Sequence, residues 1–464
     1  MIHAIDPSTH TPEEIDSANE RAAIGTRHTR DNYWNHTRFQ RIPFDRDRER
    51  RLQCWREARF GMMIHWGPAA QIGRHPRVII NEEADWSLYD RAIEEWNPRA
   101  DCAEEWMRLE ADSGARYAVM IAKYHDGFCL WDTKQTDFNS VQRGPQRDFL
   151  REYAEAARRH DIQPGVYFSL WDIHHPATAR AKEDESARRE LVDFAHAQIE
   201  ELMTQYGEWL TLWFDVPTPL SPEGWERDVI IPKILDWQPG IVINDRMGTP
   251  EDYATMDYGC NPTQDFSIGE PGRDWEVTLP TTRYWAFVQG TEDDTIDARR
   301  FLDILQTACA NGGNVMLDTG PLGDGSIPPG DSVLFRKLGR WLQAHGEAVF
   351  GADLQRIGRN LHISLPSFRT GEWTSRPGIA YAWLSQWFGE TRVIGNFSHT
   401  VRKATLLTTG QAVDFEQEGS RLILKNLPPY CPDPVLHCPV VRLDLLEQNI
   451  SSPEEPGVGV QKGT

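Results

Sequence analysis

The stretch Leu212-Trp213-Phe214-Asp215, which runs into the proline-rich break 216–219 (VPTP), decides the fold. A run of aliphatic and aromatic residues bounded by prolines is typical of a buried strand. This strand ends on a single carboxylate, and a buried carboxylate is costly unless it is paired or functional. Because catalytic groups lie at the C-terminal ends of strands in parallel barrels, Asp215 indicates an enzyme of that class.

Further short apolar runs alternate with amphipathic helical patterns on both sides of Asp215. The predicted strands are 60–66, 117–123, 165–171, 210–215, 240–244, 284–288 and 314–317. The predicted helices are 103–113, 148–160, 185–206, 228–236, 297–310 and 331–344. Such alternation indicates βαβ units and a parallel sheet. Seven or eight units in about 300 residues favour a closed, TIM-like (β/α) barrel over an open doubly wound sheet, and no GxGxxG follows a strand.

The pattern changes after Gly351, where helical periodicity gives way to short alternating runs separated by turns. These runs, 380–384, 391–397, 402–407, 421–424 and 440–446, predict a C-terminal β-sandwich. The predicted organisation is therefore an N-terminal arm at 1–49, a catalytic barrel at 50–352, the sandwich at 353–450 and a disordered tail at 451–464.

Composition excludes several classes of partner. The 464 residues carry a net charge of −21, which argues against nucleic acid because phosphate binding needs clustered Lys and Arg. No apolar run approaches the roughly 18 residues of a membrane span. The polar N-terminus and the isolated cysteines predict a cytoplasmic protein with free thiols. We expect no cofactor and no metal, and the sequence leaves the oligomeric state open, a homo-oligomer included.

Polar residues follow several predicted strands and should converge at one mouth of the barrel. They are His65, His125, Asp126, Asp172, Asp215, Asp245 and Arg246. Two carboxylates within a ring of His, Trp, Tyr and Arg are what glycoside hydrolysis requires, so the expected partner is a carbohydrate. Asp215 is the best candidate nucleophile. The acid/base must come from a later loop, and composition alone does not choose among Asp257, Glu270, Asp274 and Glu276.

Several motifs resemble those of the α-L-fucosidases, glycoside hydrolase family 29. They lie in family order at 59–67 (RFGMMIHWG, family WFGIFIHWG), 123–128 (KYHDGF, family KHHDGF), 165–169 (GVYFS, family GxYxS), 213–215 (WFD, family WFDG), 244–246 (NDR), 274–276 (DWE, family WE) and 311–321 (NGGNVMLDTGP, family NGNLLLNIGP). Together they cover about residues 50–352. The resemblance implies a barrel followed by a sandwich, and an enzyme that removes α-L-fucose.

Carried over residue by residue, the resemblance makes Asp215 the nucleophile of a retaining reaction and Glu276 the acid/base. Glu270 is the second candidate for the acid/base. An indole beside Glu276 would raise the pKa of its carboxyl and keep it protonated. The implied substrate contacts are His65, Asp85, Trp86, Tyr124, His125, Tyr167, Trp213, Arg246 and Trp285.

Two departures from the family motifs leave the sugar open, and a third affects the aglycone side. The first His of KHHDGF is Tyr124 here, the EWY segment reads 85–87 (DWS), and Val216 replaces the glycine after the nucleophile. A pocket built on hydrogen bonds discriminates sharply, so the substrate can be another L-sugar such as an α-L-galactoside. A carbohydrate-binding protein with a decayed site is a second alternative. A metal-dependent barrel hydrolase is disfavoured, because no His-x-His ends the first strand.

Overall fold

The computed structural model describes residues 45–257, 274–352, 373–395 and 397–446. The chain divides into two compact units, Met1–Gly351 and Ala352–Thr464. Most of the predicted arm (1–44) and the predicted tail (451–464) lie outside the described residues. No helix in the described parts is long and apolar enough to cross a membrane.

The first unit is built on a sheet of eight parallel strands. They are β1 Phe60–Ile64, β2 Tyr117–Lys123, β3 Gln163–Ser169, β4 Thr211–Asp215, β5 Val242–Ile243, β6 Tyr253–Asp257, β7 Asp274–Pro280 and β8 Asn314–Thr319. Their order is β5-β4-β3-β2-β1-β8-β7-β6. A parallel bridge between Asn244 and Tyr253 links the two edge strands. The sheet therefore closes on itself, and the predicted (β/α) barrel is confirmed.

Ten helices in the described residues accompany this sheet. They are α1 Arg46–Ala58, α2 Pro68–Ile72, α3 Val78–Asn81, α4 Trp86–Glu95, α5 Cys102–Ser113, α6 Phe149–Arg159, α7 Glu185–Gln205, α8 Arg227–Trp237, α9 Ala298–Ala310 and α10 Pro329–His345. Helices α5 to α10 match the predicted ones within three residues at each end. Asp148, Asp184 and Asp297 accept backbone N–H groups in the first turns of α6, α7 and α9, which explains why these helices begin where they do.

Helix α1 was not predicted because its inward face is not purely apolar. Arg51 is buried on that face and makes a bidentate ion pair with Asp252, at 2.5 and 2.8 Å. Arg48 is also buried and contacts Asp274, 3.3 Å away. A helix that buries arginines against carboxylates lacks the 3.6-residue apolar period on which the prediction relied.

The predicted strand at 284–288 was wrong. These residues form a loop in which Tyr284 is exposed and Ala286 has a positive φ of 68°. Strands β6 and β7 occupy the last part of the barrel instead. Polar side chains of these strands, Thr255, Glu276 and Thr278, are buried, so neither strand reads as an apolar run.

The second unit contains two antiparallel sheets. One has the order β13-β12-β16-β10-β9 and the other β11-β15-β14. The strands are β9 Trp373–Arg376, β10 Ile379–Trp383, β11 Arg392–Ile394, β12 Val401–Leu406, β13 Gln411–Ala412, β14 Asp414–Glu418, β15 Arg421–Lys425 and β16 Val440–Leu445. Ala382 and Leu443 of the first sheet share one core with Ile394 and Leu424 of the second. This arrangement confirms the sandwich in the predicted fold class.

Candidate active site

Asp215 occupies the C-terminal end of β4, and every residue of that strand is buried. Its carboxylate is fixed from two sides. Tyr167 Oη donates to Oδ2 at 2.6 Å, and Arg246 Nη1 donates to Oδ1 at 2.9 Å. Charge-assisted hydrogen bonds of this length hold a side chain in one orientation. Asp215 is thus a rigid carboxylate whose side chain keeps 10% of its surface exposed.

Arg246 connects Asp215 to a second carboxylate. It lies in the 3-10 helix Asp245–Met247, directly after β5, and its Nε donates to Thr255 Oγ1 at 2.7 Å. Its Nη2 forms an ion pair with Asp257, the last residue of β6. Burial lowers the pKa of Arg246, but the carboxylates of Asp257 and Asp215 outweigh it and hold the pKa above its ordinary value. One guanidinium therefore bridges the two acids.

His125 and Tyr124 lie beside Asp215 at the end of β2. His125 Nε2 is 3.8 Å from Asp215 Oδ2, and Nδ1 is within 2.7 Å of Ser169 Oγ. The ring of Tyr124 stacks on that of His125, with 3.9 Å between centroids. Burial raises the pKa of Tyr124 to about 12, so its phenol stays protonated at neutral pH.

His65 follows β1 and approaches the edge of the Tyr124 ring, with 4.8 Å between centroids. Within the described residues neither ring nitrogen has a hydrogen-bond partner; Nδ1 is 3.7 Å from Asp318 Oδ2. Burial lowers the pKa of His65 to about 3, so the imidazole is neutral at physiological pH. A neutral buried ring offers one donor and one acceptor, which suits sugar hydroxyls.

These side chains line one pocket at the C-terminal ends of the strands. The predicted residues that line it are His65, Tyr124, Tyr167, Trp213, Asp215, Arg246 and Trp285. The other lining residues are Met63, Arg77, Trp171, Val216, Asp257 and Thr278. Aromatic rings beside carboxylates and hydrogen-bonding groups match what a sugar presents, an apolar face and a rim of hydroxyls.

Arg77 lines the pocket but belongs to no motif, and it precedes α3 and follows no strand, so sequence reasoning had no signal for it. Its backbone N–H donates to His75 Nδ1 at 3.0 Å, which orients the loop. Its Nε donates to Tyr124 Oη at 3.1 Å, and its Nη2 is 3.3 Å from His125 Nε2. The guanidinium thus lies against Tyr124, which lines the pocket, and against His125, a predicted substrate contact that is fully buried and is not among the described lining residues.

Glu276 lies below the pocket. It belongs to the same strand face as Thr278, two residues further along, so it is one layer deeper by about 6.6 Å. It is fully buried, and it accepts hydrogen bonds from Tyr117 Oη at 2.5 Å and Trp213 Nε1 at 3.1 Å. In register it faces Asn314, the first residue of β8. This position argues against the predicted role of Glu276 as the acid/base.

The other acid/base candidates differ in position. Asp274 begins β7 and pairs with Arg56 Nε at 2.6 Å, at the opposite end of the barrel from Asp215. Glu270 lies outside the described residues. Asp257 is the candidate that shares the pocket with Asp215.

Asp85 and Trp86, two further predicted substrate contacts, make structural contacts of their own. Asp85 is exposed and caps α4, where it accepts the Ser87 N–H at 2.7 Å. Trp86 packs edge-on against Phe138 and His174. Neither is among the described residues that line the pocket. The carboxylate of Asp85 is used for capping, so the aligned DWS segment does not place it on the sugar.

Three other members of the predicted mouth have structural partners. Asp126 accepts hydrogen bonds from Tyr89 Oη and from the Phe128 N–H. Asp172 pairs with Lys123 Nζ at 3.1 Å. Asp245 Oδ1 accepts the Thr255 N–H at 3.1 Å. In the described residues no group of three His, Cys, Asp or Glu side chains is arranged to hold a metal ion.

A closed barrel with a fixed carboxylate in an aromatic pocket defines a glycoside hydrolase. The family model described as Alpha-L-fucosidase matches residues 29–347, and the chain belongs to that family. An alpha-L-fucosidase of Branchiostoma floridae is 27% identical over 374 residues, spanning 73% of this chain and 80% of the relative.

Two solved structures share the fold. Alpha-L-fucosidase isoenzyme 1 from Paenibacillus thiaminolyticus is 25% identical with a TM-score of 0.76, and the match covers 86% of this chain and 100% of that one. A GH29 alpha-L-fucosidase from Bacteroides thetaiotaomicron, trapped as a covalent intermediate with 2-fluoro-fucosyl fluoride, is 23% identical with a TM-score of 0.76. That match covers 88% of this chain and 98% of the other.

Proposed function

We propose that this protein is a retaining exo-glycosidase that releases a terminal α-L-fucose or a closely related sugar of L-fuco configuration. The observation that carries the proposal is the placement of Asp215. Its two carboxylate oxygens are held by Tyr167 and Arg246, at the end of a strand and within a pocket of aromatic side chains. A nucleophile of this kind needs a fixed orientation toward the anomeric carbon.

In the first step an oxygen of Asp215 forms a bond to the anomeric carbon as the bond to the leaving oxygen breaks. The leaving oxygen takes a proton from the acid/base. In the second step water attacks the glycosyl ester, gives its proton to the same group and frees Asp215. The covalent intermediate trapped in the Bacteroides thetaiotaomicron enzyme belongs to that protein and is the precedent for the intermediate proposed here.

Two candidates for the acid/base remain: Asp257, whose ion pair with Arg246 must be broken before its carboxyl can carry the proton, and Glu270. Asp215 and Asp257 both bind Arg246, one at each terminal nitrogen, which is compatible with the roughly 5–5.5 Å between the carboxyl groups of retaining enzymes. Glu276, the residue implied by sequence, lies about 6.6 Å deeper along its strand.

The experiment is hydrolysis of nitrophenyl α-L-fucoside, α-L-galactoside, β-D-galactoside and α-L-rhamnoside by the wild type and by Asp215→Asn. Turnover of an L-fuco-configured glycoside that Asp215→Asn abolishes is the expected result. Turnover unaffected by Asp215→Asn would refute the assignment of Asp215 as the nucleophile. Binding of the sugar by calorimetry without any turnover would favour a carbohydrate-binding protein.

The acid/base is tested with Asp257→Asn, Glu270→Gln and the matched variant Glu276→Gln. Loss of the acid/base should slow glycosides with poor leaving groups far more than nitrophenyl glycosides, because activated leaving groups need little protonation. We expect this selective loss in Asp257→Asn or in Glu270→Gln, and not in Glu276→Gln. The variant that shows the loss identifies the acid/base, and its absence from both would refute the two candidates.

A further inference from the structure

Asp318 is a buried carboxyl group that the proposed reaction does not use. It is the fifth residue of β8 and pairs in register with Met63 of β1, which lines the pocket. Alternate residues of a strand share a face, so Asp318 faces the barrel interior like Met316, which packs in one core with Met63. The side chain of Asp318 is fully buried and is not among the described lining residues. Asp318 therefore lies beside the pocket without opening into it.

Asp318 and His65 are two buried groups that face each other. His65 Nδ1 is 3.7 Å from Asp318 Oδ2. Within the described residues, neither carboxyl oxygen and neither ring nitrogen has a hydrogen-bond partner. The main chain keeps the two residues close together, because the His65 N–H donates to the Thr319 carbonyl at 3.0 Å. A buried polar atom without a partner is costly, so four such atoms side by side indicate a role other than stability.

Thr278 gives independent support for hydroxyl binding on this side of the pocket. Strand β8 lies between β1 and β7, so His65 and Thr278 flank the strand of Asp318. Thr278 lines the pocket, and its buried Oγ1 also has no hydrogen-bond partner in the parts of the chain that the structure describes. Three neighbouring strands thus carry unpaired polar atoms at or beside the pocket, and sugar hydroxyls can pair with such atoms.

Burial favours the neutral form of both Asp318 and His65. It raises the pKa of the Asp318 carboxyl well above its ordinary value, and the backbone of Ala286 is near enough to favour the charged form without making a hydrogen bond. Burial lowers the pKa of His65 to about 3, while Asp215 acts to raise it and Arg77 to lower it. A neutral carboxyl retains an O–H donor, and a neutral imidazole retains one acceptor nitrogen. The Asp318 O–H can therefore donate to Nδ1, which leaves the ring proton on Nε2.

We propose that Asp318 is a positioning residue for His65. A hydrogen bond from the Asp318 carboxyl to Nδ1 fixes the ring and its tautomer, so that the Nε2–H donates to a hydroxyl of the bound sugar. The hydrogen bond made by one ring nitrogen sets which nitrogen carries the proton. The 3.7 Å between the two groups is about 0.5 Å longer than a hydrogen bond, and such contacts often tighten when substrate binds. This inference rests on the proposed function, which supplies the sugar.

The first test measures kcat and KM of full-length variants on the L-fuco-configured nitrophenyl glycoside that the wild type cleaves. Asp318→Ala removes the donor to Nδ1. We expect KM to rise about 5- to 10-fold, the effect of one net hydrogen bond, with kcat changed by less than about two-fold. Asp318→Asn retains an N–H donor and should keep KM within about two-fold of the wild-type value. An unchanged KM in Asp318→Ala would overturn the inference.

Glu110→Ala is the matched control for removal of a buried carboxyl. Within the described residues, the side-chain oxygens of Glu110 also have no hydrogen-bond partner, but Glu110 lies on α5 and is not among the lining residues. We expect Glu110→Ala to leave KM unchanged. A rise in KM as large as that in Asp318→Ala would indicate a general loss of structure and would count against a positioning role.

A double-mutant cycle tests whether Asp318 acts through His65. In the His65→Ala background, Asp318→Ala should cause no further rise in KM, because the ring that it positions is absent. Full additivity of the two effects on KM would contradict the proposal, since Asp318 would then act by another route.

The tautomer of His65 can be measured without substrate, by nitrogen NMR of histidine-labelled protein in which His65→Ala assigns the signals. We expect the ring proton on Nε2 in the wild type and in Asp318→Asn, and both tautomers in Asp318→Ala. A wild-type ring protonated at Nδ1 would overturn the inference. Should Asp318→Ala not fold, the wild-type tautomer decides.

Failure of the inference can be told apart from failure of the proposed function. If the wild type cleaves an L-fuco-configured glycoside through Asp215 and KM does not respond to Asp318→Ala, the function stands and the inference is wrong. If the wild type cleaves no glycoside of the panel, the proposed function fails, and the tautomer of His65 still tests its contact with Asp318.

Discussion

Replacing Glu276 by glutamine should change how the stability of the barrel depends on pH. Burial raises the pKa of Glu276 to about 7 from an ordinary value of 4.5, although hydrogen bonds from Tyr117 and Trp213 act in the opposite direction. Between these pH values the folded protein retains a proton that the unfolded chain has released. The stabilisation is therefore complete below pH 4.5 and is lost as the pH rises through 7.

The magnitude follows from the difference between the two pKa values. At 1.36 kcal/mol for each pH unit, 4.5 and about 7 are separated by roughly 3 kcal/mol of unfolding free energy. For a unit of some 300 residues, a change of 1 kcal/mol moves Tm by about 2 °C. The contribution of Glu276 to Tm should thus fall by roughly 6 °C between pH 4.5 and pH 8. Glutamine does not titrate, so Glu276→Gln lacks this contribution.

The assay is calorimetric Tm for the wild type and Glu276→Gln from pH 4.5 to pH 8.5, with the exposed Glu57→Gln as control for the loss of one acidic side chain. We expect the wild type minus variant difference to fall by roughly 6 °C, mostly between the two pKa values, with its midpoint near pH 6. Nitrophenyl and poor-leaving-group glycosides should be affected alike, because a residue below the pocket does not protonate a leaving group. A Tm difference that does not change with pH would refute the burial argument. A loss of activity confined to glycosides with poor leaving groups would restore Glu276 as the acid/base.

Two further predictions concern other residues near the pocket. Val216 has a φ of 43°, a left-handed conformation that costs a residue with a Cβ about 1–2 kcal/mol. Val216→Gly and Val216→Ala both lose a buried side chain, but only glycine removes the strain, so Val216→Gly should be more stable than Val216→Ala by about 0.5–1 kcal/mol in thermal unfolding; a lower Tm for the glycine variant than for the alanine variant would contradict the strain. Lys123 is buried 3.1 Å from Asp172, so Lys123→Met should cost about 3–5 kcal/mol in urea unfolding by leaving that carboxylate without its ion-pair partner. A cost below about 1 kcal/mol would mean that the other hydrogen bonds of Asp172 suffice.

The parts of the fold that sequence predicted are those in which local signals agree with the tertiary structure. Strand β4 is apolar until Asp215, and aspartates cap helices α6, α7 and α9. Strands β6 and β7 were missed because their buried faces carry Thr255, Glu276 and Thr278, which hydrophobic patterning counts as polar. Hydrophobic patterning detects only apolar side chains. A barrel interior also accepts polar side chains, provided that their hydrogen-bonding groups have partners.

Position along a strand distinguishes the two predicted catalytic carboxylates. Asp215 and Glu276 both belong to barrel strands, but Asp215 is the last residue of β4 and Glu276 the third residue of β7. Two residues along a strand span about 6.6 Å, enough to move a carboxylate from the pocket to the layer beneath it. Which layer a residue occupies depends on the register between strands, and a linear motif carries no information on register.

The effect of a departure from a motif depends on neighbouring residues in the structure, as Tyr124 shows. In the sequence, Tyr124 in place of histidine indicated only that the sugar contacts had changed. In the structure its hydroxyl accepts a hydrogen bond from Arg77, a residue 47 positions earlier that matches no motif. The phenolic oxygen accepts this N–H while its own proton remains a donor, so Tyr124 joins two residues of the pocket lining as well as replacing a predicted sugar contact.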